Sequence, residues 1–201
     1  MITVIKAKKN AYYDANTYIL TADGKTAVVI DPASENFISE LEKRNLKCEY
    51  ALLTHGHLDH IGGCGALYKN GVKICCGEGE KSFIFSEGNF AIFGEELPEF
   101  EIYKTFKDGE KFNLSGIDFT AISTPGHTVG GACYIVDDYL FSGDTLFYHS
   151  IGRTDFPTGN FLQLIQSVKK LFSLGKNYTV FCGHEQDTTI DEEIKNNPFI
   201  K

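Results

Sequence analysis

Between Thr54 and His60 the sequence reads Thr-His-Gly-His-Leu-Asp-His, which puts three imidazoles and one carboxylate within six positions, directly after the apolar run Ala51-Leu52-Leu53. Imidazole nitrogen and carboxylate oxygen are ligands that zinc accepts, and a strand end gives a turn a rigid base from which to aim several side chains inward. Three more candidate ligands stand at other expected strand ends: His127 in Pro125-Gly126-His127-Thr128, Asp144 in Ser142-Gly143-Asp144-Thr145, and His184 in Cys182-Gly183-His184. Each follows a glycine, a residue that lets backbone turn sharply or approach closely, as side chains converging on a small ion require. Five of the six histidines lie in these loops. So many titratable groups in one place would be costly to desolvate unless an ion offset the loss. The sixth, His149, reads as an ordinary hydrogen-bonded residue.

The elements that must carry these loops alternate between strand-like and helix-like stretches. Asn16 to Leu20 and Lys25 to Ile30 flank the turn Ala22-Asp23-Gly24 and predict a hairpin ending at Asp31-Pro32. A helix is expected from Glu35 to Leu46, a strand over Ala51 to Thr54, a helix over Ile61 to Tyr68 and a strand over Val72 to Cys76. From Glu78 to Glu101 Gly, Glu and Phe mix without clear period, which suggests one short helix plus loop. Asp118 to Ile122, Ala132 to Val136, Tyr139 to Phe141 and Tyr178 to Phe181 read as strands. An amphipathic helix from Asn160 to Leu174 should bury Leu162, Ile165, Val168, Leu171 and Phe172. Since each helix must bury an apolar stripe against a sheet, the pattern implies a layered α/β domain with two packed sheets.

Composition narrows the field further. The chain has 201 residues, 42% of them hydrophobic, without a repeat or low-complexity linker, and reads as a single domain over 1–201. A net charge of -8 without a Lys/Arg run argues against nucleic acid. Met1 to Lys9 alternates apolar and polar residues, unlike a signal peptide, and nothing is long enough to span a bilayer, so a cytoplasmic protein is expected. The cysteines Cys48, Cys64, Cys75, Cys76, Cys133 and Cys182 lack the Cys-x-x-Cys spacing of a structural zinc site and read as small reduced hydrophobes.

In the order and spacing of its four ligand-bearing segments, the chain resembles the metallo-β-lactamase superfamily from about residue 12 to the C-terminus. The resemblance implies a four-layer αββα sandwich of two mixed sheets with helices on both outer faces. It also implies two metal sites, expected to hold zinc, with iron or manganese as alternatives: His55, His57 and His127 at one, Asp59, His60 and His184 at the other, and Asp144 bridging. Within the superfamily, the run Ser150-Ile151-Gly152-Arg153-Thr154-Asp155-Phe156-Pro157 and the ending Asn197-Pro198-Phe199 look like short type II glyoxalase-like hydrolases. The chain departs from full-length hydroxyacylglutathione hydrolases in lacking their C-terminal helical, glutathione-binding domain, which leaves the substrate's thiol open.

The activity so implied is hydrolysis of a small-molecule thioester or ester by a metal-bridged hydroxide. Two cations about 3.5–4 Å apart ionise a bridging water and polarise a carbonyl. Asp59, His57 and Asp144 are the expected catalytic residues, with Asp59 orienting the hydroxide. A thiol with a pKa of roughly 8.5 leaves as thiolate without a strong general acid, which favours a thioester. Arg153 is a candidate substrate clamp or a loop-fixing ion pair with Asp155, and Tyr148 is a candidate pocket hydroxyl or packing residue. The same Gly-Arg-Thr-Asp-Phe run also resembles mononuclear iron persulfide dioxygenases, in which His55, His127 and Asp144 would form the metal-binding face. A non-enzymatic metal-binding module is the third reading. It would offer no open coordination position. The protein is expected to act as a monomer or small homo-oligomer.

Overall fold

The computed structural model describes residues 1–7, 15–89 and 98–200. Two six-stranded mixed sheets form its centre. In the first, β1 (Thr3–Lys6), β2 (Tyr18–Thr21) and β3 (Thr26–Ile30) run antiparallel, and β4 (Lys47–Leu53), β5 (Lys73–Gly77) and β6 (Ile102–Phe106) follow β3 in parallel. The second sheet contains β7 (Lys111–Leu114), β8 (Ile117–Ser123), β9 (Ala132–Val136), β10 (Tyr139–Gly143), β13 (Thr179–Cys182) and β14 (Thr188–Thr189). Its order is β14-β13-β10-β9-β8-β7, with β10 and β13 parallel and all other pairs antiparallel. A small hairpin, β11 (Leu146–Phe147) and β12 (Ser150–Ile151), stands apart from both.

The period of two along each strand divides the apolar residues between two layers of core. Leu20, Val28, Ile30 and Leu52 of the first sheet face Phe119, Tyr134 and Phe141 of the second, forming the inter-sheet core. Their neighbours Ile19, Val29, Ala51 and Leu53 point outward and are covered by α1 (Ile38–Lys43), α2 (Leu58–Ile61) and α3 (Cys64–Lys69). On the far side, Ile122, Leu140, Val180 and Cys182 pack under α5 (Phe161–Phe172) and α6 (Ile190–Asn196). The result is the four-layer αββα arrangement. Among the described residues no helix is long and apolar enough to cross a membrane.

The expected hairpin, central strands and most helices are present; β1, β6, β7 and α6 were not expected, and the helical regions differ in detail. The helix expected over Ile61 to Tyr68 is instead α2 and α3, separated at Gly62 and Gly63. Both glycines lie against the backbone carbonyls of Pro32, Ala33 and Ser34, where a side chain would collide. In α5, Val168 and Leu171 are buried and Ile165 and Phe172 are half-buried against the same core, as expected, whereas Leu162 is 72% exposed and Leu164 is buried instead. Ser167 is on the inner face too, where its hydroxyl donates to the Pro125 carbonyl at 2.7 Å. Between Glu78 and Glu101, α4 (Lys81–Ile84) is the short helix expected, residues 87–89 are helical as well, and 90–97 lie outside the described residues.

Candidate metal centre

The strands β4, β8, β10 and β13 deliver the ligand candidates. His55, His57, Asp59 and His60 follow β4, His127 follows β8, Asp144 follows β10 and His184 follows β13. Antiparallel steps from β8 to β9 to β10 and the parallel step to β13 point these three strand ends of the second sheet the same way. Two glycines allow close approach. Gly143 adopts φ +49, a left-handed conformation that glycine tolerates best, and lies against Thr54; a Cβ on Gly183 would strike the Asp144 carboxylate.

The hydrogen bonds around each imidazole fix which nitrogen faces the centre. His60 Nδ1 lies 2.9 Å from Asp31 Oδ2, an acceptor only, so Nδ1 donates and Nε2 is the atom that carries a lone pair whenever the ring is neutral, as it is when it binds a metal. His127 Nδ1 likewise donates to the Arg153 carbonyl at 2.7 Å. Thr54 Oγ1 donates to Asp31 Oδ2 at 2.6 Å and so receives His55 Nδ1 at 3.1 Å. The inward atoms are therefore Nε2 of His55, His60 and His127.

These atoms and the carboxylates stand at ligand spacing. His127 Nε2 is 2.9 Å from His57 Nδ1 and 3.5 Å from Asp144 Oδ2. His184 Nε2 is 3.2 Å from Asp59 Oδ2, 3.4 Å from Asp144 Oδ2 and 3.3 Å from His60 Nε2. His60 Nε2 is 3.2 Å from Asp144 Oδ1 and 3.9 Å from Asp59 Oδ2. Ligands bonded to zinc at about 2.0–2.1 Å with tetrahedral angles are about 3.4 Å from one another. Two of the groups with mutually close ligand atoms are His55, His57, His127 and Asp59, His60, His184; a third, Asp31, His55, His60, adds the carboxylate behind the first two rings.

A direct test of fit is His55 Nε2, which is buried and has no hydrogen-bond partner among the described residues. Such a nitrogen loses its hydration with no return unless a cation takes the lone pair. The electrostatics agree. Burial, with help from the charges of its histidine neighbours, holds His55 well below the ordinary imidazole range, and burial together with His127 lowers His57 to about 3. Both are therefore neutral and available as ligands. At the other set burial also opposes charge, but Asp144, Asp59 and Asp31 raise His60, and hydrogen bonds to Asp144 and Asp59 raise His184 to about 9. Despite burial, the His60 charge keeps Asp59 and Asp144 low and ionised.

A cavity of about 420 Å³ opens onto this cluster, with Phe147, Ile151 and Phe156 as the apolar part of its lining. Arg153 lines it too, but its Nε and Nη2 donate to Asp155 at 2.7 Å each and its guanidinium lies 3.8 Å over the Phe156 ring. This pairing favours the loop-fixing reading. Tyr148 stands apart from the cavity lining and stacks on His149 at 3.9 Å, whose Nε2 in turn meets Glu192 at 2.7 Å.

Sequence reasoning missed two buried carboxylates that hold the ligand loops. Asp31, at the end of β3, accepts from Thr54 N at 2.8 Å and Thr54 Oγ1 at 2.6 Å besides orienting His60. Its place at a strand end beside the others was a usable signal. Asp31→Asn must turn an NH2 toward one of those donors, and we expect a loss of about 10–100-fold in metal affinity or activity, measured as zinc content and kcat/KM. Glu80 is the second, in the aperiodic stretch where no signal marked it. It is fully buried, and burial pushes its carboxyl up to about 7 against three hydrogen bonds that lower it.

The comparisons agree with this geometry. The family model for the metallo-beta-lactamase superfamily matches residues 12–184. A hydroxyacylglutathione hydrolase, GloC, from Haemophilus influenzae is 34% identical over 198 residues, covering 94% of this chain and 93% of that protein. Among solved structures, BLEG-1 B3 metallo-beta-lactamase is 29% identical with a TM-score of 0.90, covering 99% of this chain and 100% of that one. TTHA1623, solved in a di-iron-bound form, is 27% identical with a TM-score of 0.84, covering 98% of this chain and 100% of that one. With its αββα layers and its histidine and aspartate cluster at the strand ends, the chain belongs to the metallo-beta-lactamase superfamily.

Proposed function

We propose that this metal-dependent hydrolase cleaves a small-molecule thioester of the hydroxyacyl-thiol class, using two zinc ions. His55, His57 and His127 would hold one ion, Asp59, His60 and His184 the other, and Asp144 would bridge them. The carrying observation is the convergence of imidazole nitrogens and carboxylate oxygens from four strand ends at spacings of 2.9 to 3.5 Å beside an open cavity. When bound, the ions supply a water that ionises near neutral pH and a positive charge for the carbonyl oxygen.

The chain's own groups do the rest. Asp59 lines the cavity while its Oδ2 meets His184, which leaves its carboxylate able to accept a hydrogen bond from the attacking water and fix its approach. Phe147, Ile151 and Phe156 form an apolar wall that can take the non-reacting part of the substrate and exclude water. His55 and His57, held neutral by burial, are poor proton donors. A leaving group that departs as an anion therefore suits the site, and a thiol of pKa about 8.5 is such a group. The naming of the Haemophilus influenzae relative as a hydroxyacylglutathione hydrolase supports the same substrate class.

Zinc is our reading of the nitrogen-rich donor set. Iron is the alternative, since TTHA1623 has been solved with two irons. We also read the protein as cytoplasmic, which its free cysteines support. The test is a panel of S-acyl thiols assayed with metal content on the same sample, purified without metal supplement, beside an oxygen electrode. Thioester hydrolysis with two metals per chain is expected. Oxygen uptake with a persulfide and one iron per chain would instead assign His55, His127 and Asp144 to a mononuclear iron dioxygenase.

A further inference from the structure

Glu80 lies outside every ligand loop, in the turn between β5 and α4, yet its side chain joins two of them. Its Oε1 accepts from Gly56 N at 2.8 Å, and its Oε2 accepts from Thr128 Oγ1 and Gly130 N at 2.9 Å each. Gly56 separates His55 from His57, and Thr128 directly follows His127. The two loops leave different sheets, one after β4 and the other after β8. Ala132 N donates to the Thr54 carbonyl at 2.9 Å and Tyr134 Oη to the Leu53 carbonyl at 2.8 Å, which ties the sheets together at the base of the loops. Nearer the ligands, the Glu80 side chain spans the two loops themselves.

We infer that Glu80 is the positioning residue for the first ligand set, holding His57 and His127 at the spacing a single cation needs. The inference rests on the ligand assignment proposed above. A carboxylate is the side chain this place requires, because two opposed N–H groups and a hydroxyl point at it and both of its oxygens accept. A neutral amide of the same shape fails. If its NH2 replaces Oε1 it faces the Gly56 N–H, and if it replaces Oε2 it faces the Gly130 N–H. Burial of the charge is the cost of the arrangement, and three hydrogen bonds offset part of it. The loop carrying His57 would then be freed from the loop carrying His127, whose ring nitrogens stand 2.9 Å apart. The second set, Asp59, His60 and His184, makes no contact with Glu80 among the bonds described; Asp31 supports it directly at His60 and reaches His55 of the first set only through Thr54.

The experiment is a stepwise zinc titration of the whole protein against a chromophoric chelator, for wild type, Glu80→Gln and Thr128→Val, with circular dichroism of each metal-free sample. Glu80→Gln should weaken one of the two zinc steps by about tenfold or more, the scale of lost support behind a ligand, and leave the other within about threefold. Thr128→Val deletes one of the three donors and should weaken the same step by about threefold. It also decides the matter if Glu80→Gln does not fold. Two zinc steps unchanged in Glu80→Gln, or both weakened equally, would overturn the inference. Wild type that takes up fewer than two zinc ions would instead overturn the ligand assignment beneath it.

Discussion

Replacing His57 with alanine should abolish turnover and leave the fold standing. His57 Nδ1 is 2.9 Å from His127 Nε2, and its ring is neutral because burial lowers its pKa to about 3. It belongs to the set with the fewest charges, where three imidazoles and no unshared carboxylate would hold the ion. Losing one of three nitrogens there leaves too few ligands to keep the metal in place. The rate should fall by at least about a thousandfold, the upper end of what a single lost transition-state donor costs. Stability should change much less. His57 ends the loop after β4, directly before α2, with Phe83 and Phe156 against its ring at 5.7 and 5.6 Å, and truncation there should cost about 1–3 kcal/mol. Activity on a thioester and the far-ultraviolet circular dichroism spectrum, measured together, check both halves. A normal rate in His57→Ala would count heavily against the assignment.

The second large effect should come from stripping the metal. Without cations, Asp59 and Asp144 remain ionised beside each other and His55 Nε2 remains buried without a partner. Metal that binds only the folded chain stabilises it by about 4 kcal/mol for each site at a thousandfold excess over Kd. For a chain of this size each kcal/mol moves the midpoint by about 2–4 °C. Chelator-treated protein should therefore melt at least about 10 °C below the zinc-saturated protein, and zinc added back should restore both midpoint and activity. An unchanged midpoint would mean that these side chains need no ion to lie together.

The ligand loops were legible in the sequence because each follows an apolar strand and combines a glycine with an imidazole or carboxylate, features that survive without tertiary context. The central strands were legible for a similar reason, since burial on both faces leaves unbroken apolar runs such as Ala51-Leu52-Leu53. Edge strands were not. Ile102–Phe106 and Lys111–Leu114 are paired on one side only and carry exposed lysines and polar residues, so their composition resembles loop. In α5 only Leu162 was misplaced: it and Leu164 are both leucines near the edge of the apolar stripe, and periodicity alone does not say which of the two meets the sheet.

The supporting carboxylates were hidden for a different reason. Glu80 and Glu193 act through backbone groups far along the chain. Glu193 accepts from His149 N at 3.0 Å and from Thr188 Oγ1 at 2.7 Å, and Asn197 Nδ2 donates to it and to the Ser150 carbonyl at 2.8 and 3.1 Å. In this way α6 anchors the hairpin that walls the cavity. No spacing rule marks such a residue in sequence, because its partners are set by the packing of the two sheets.

The most direct test of the ligand assignment is anomalous diffraction at the zinc edge from a crystal grown with ample zinc. Two peaks about 3.5–4 Å apart are expected, one among His55, His57 and His127 and the other among Asp59, His60 and His184, with Asp144 between them. A map without density there, with these side chains turned away from one another, would contradict it.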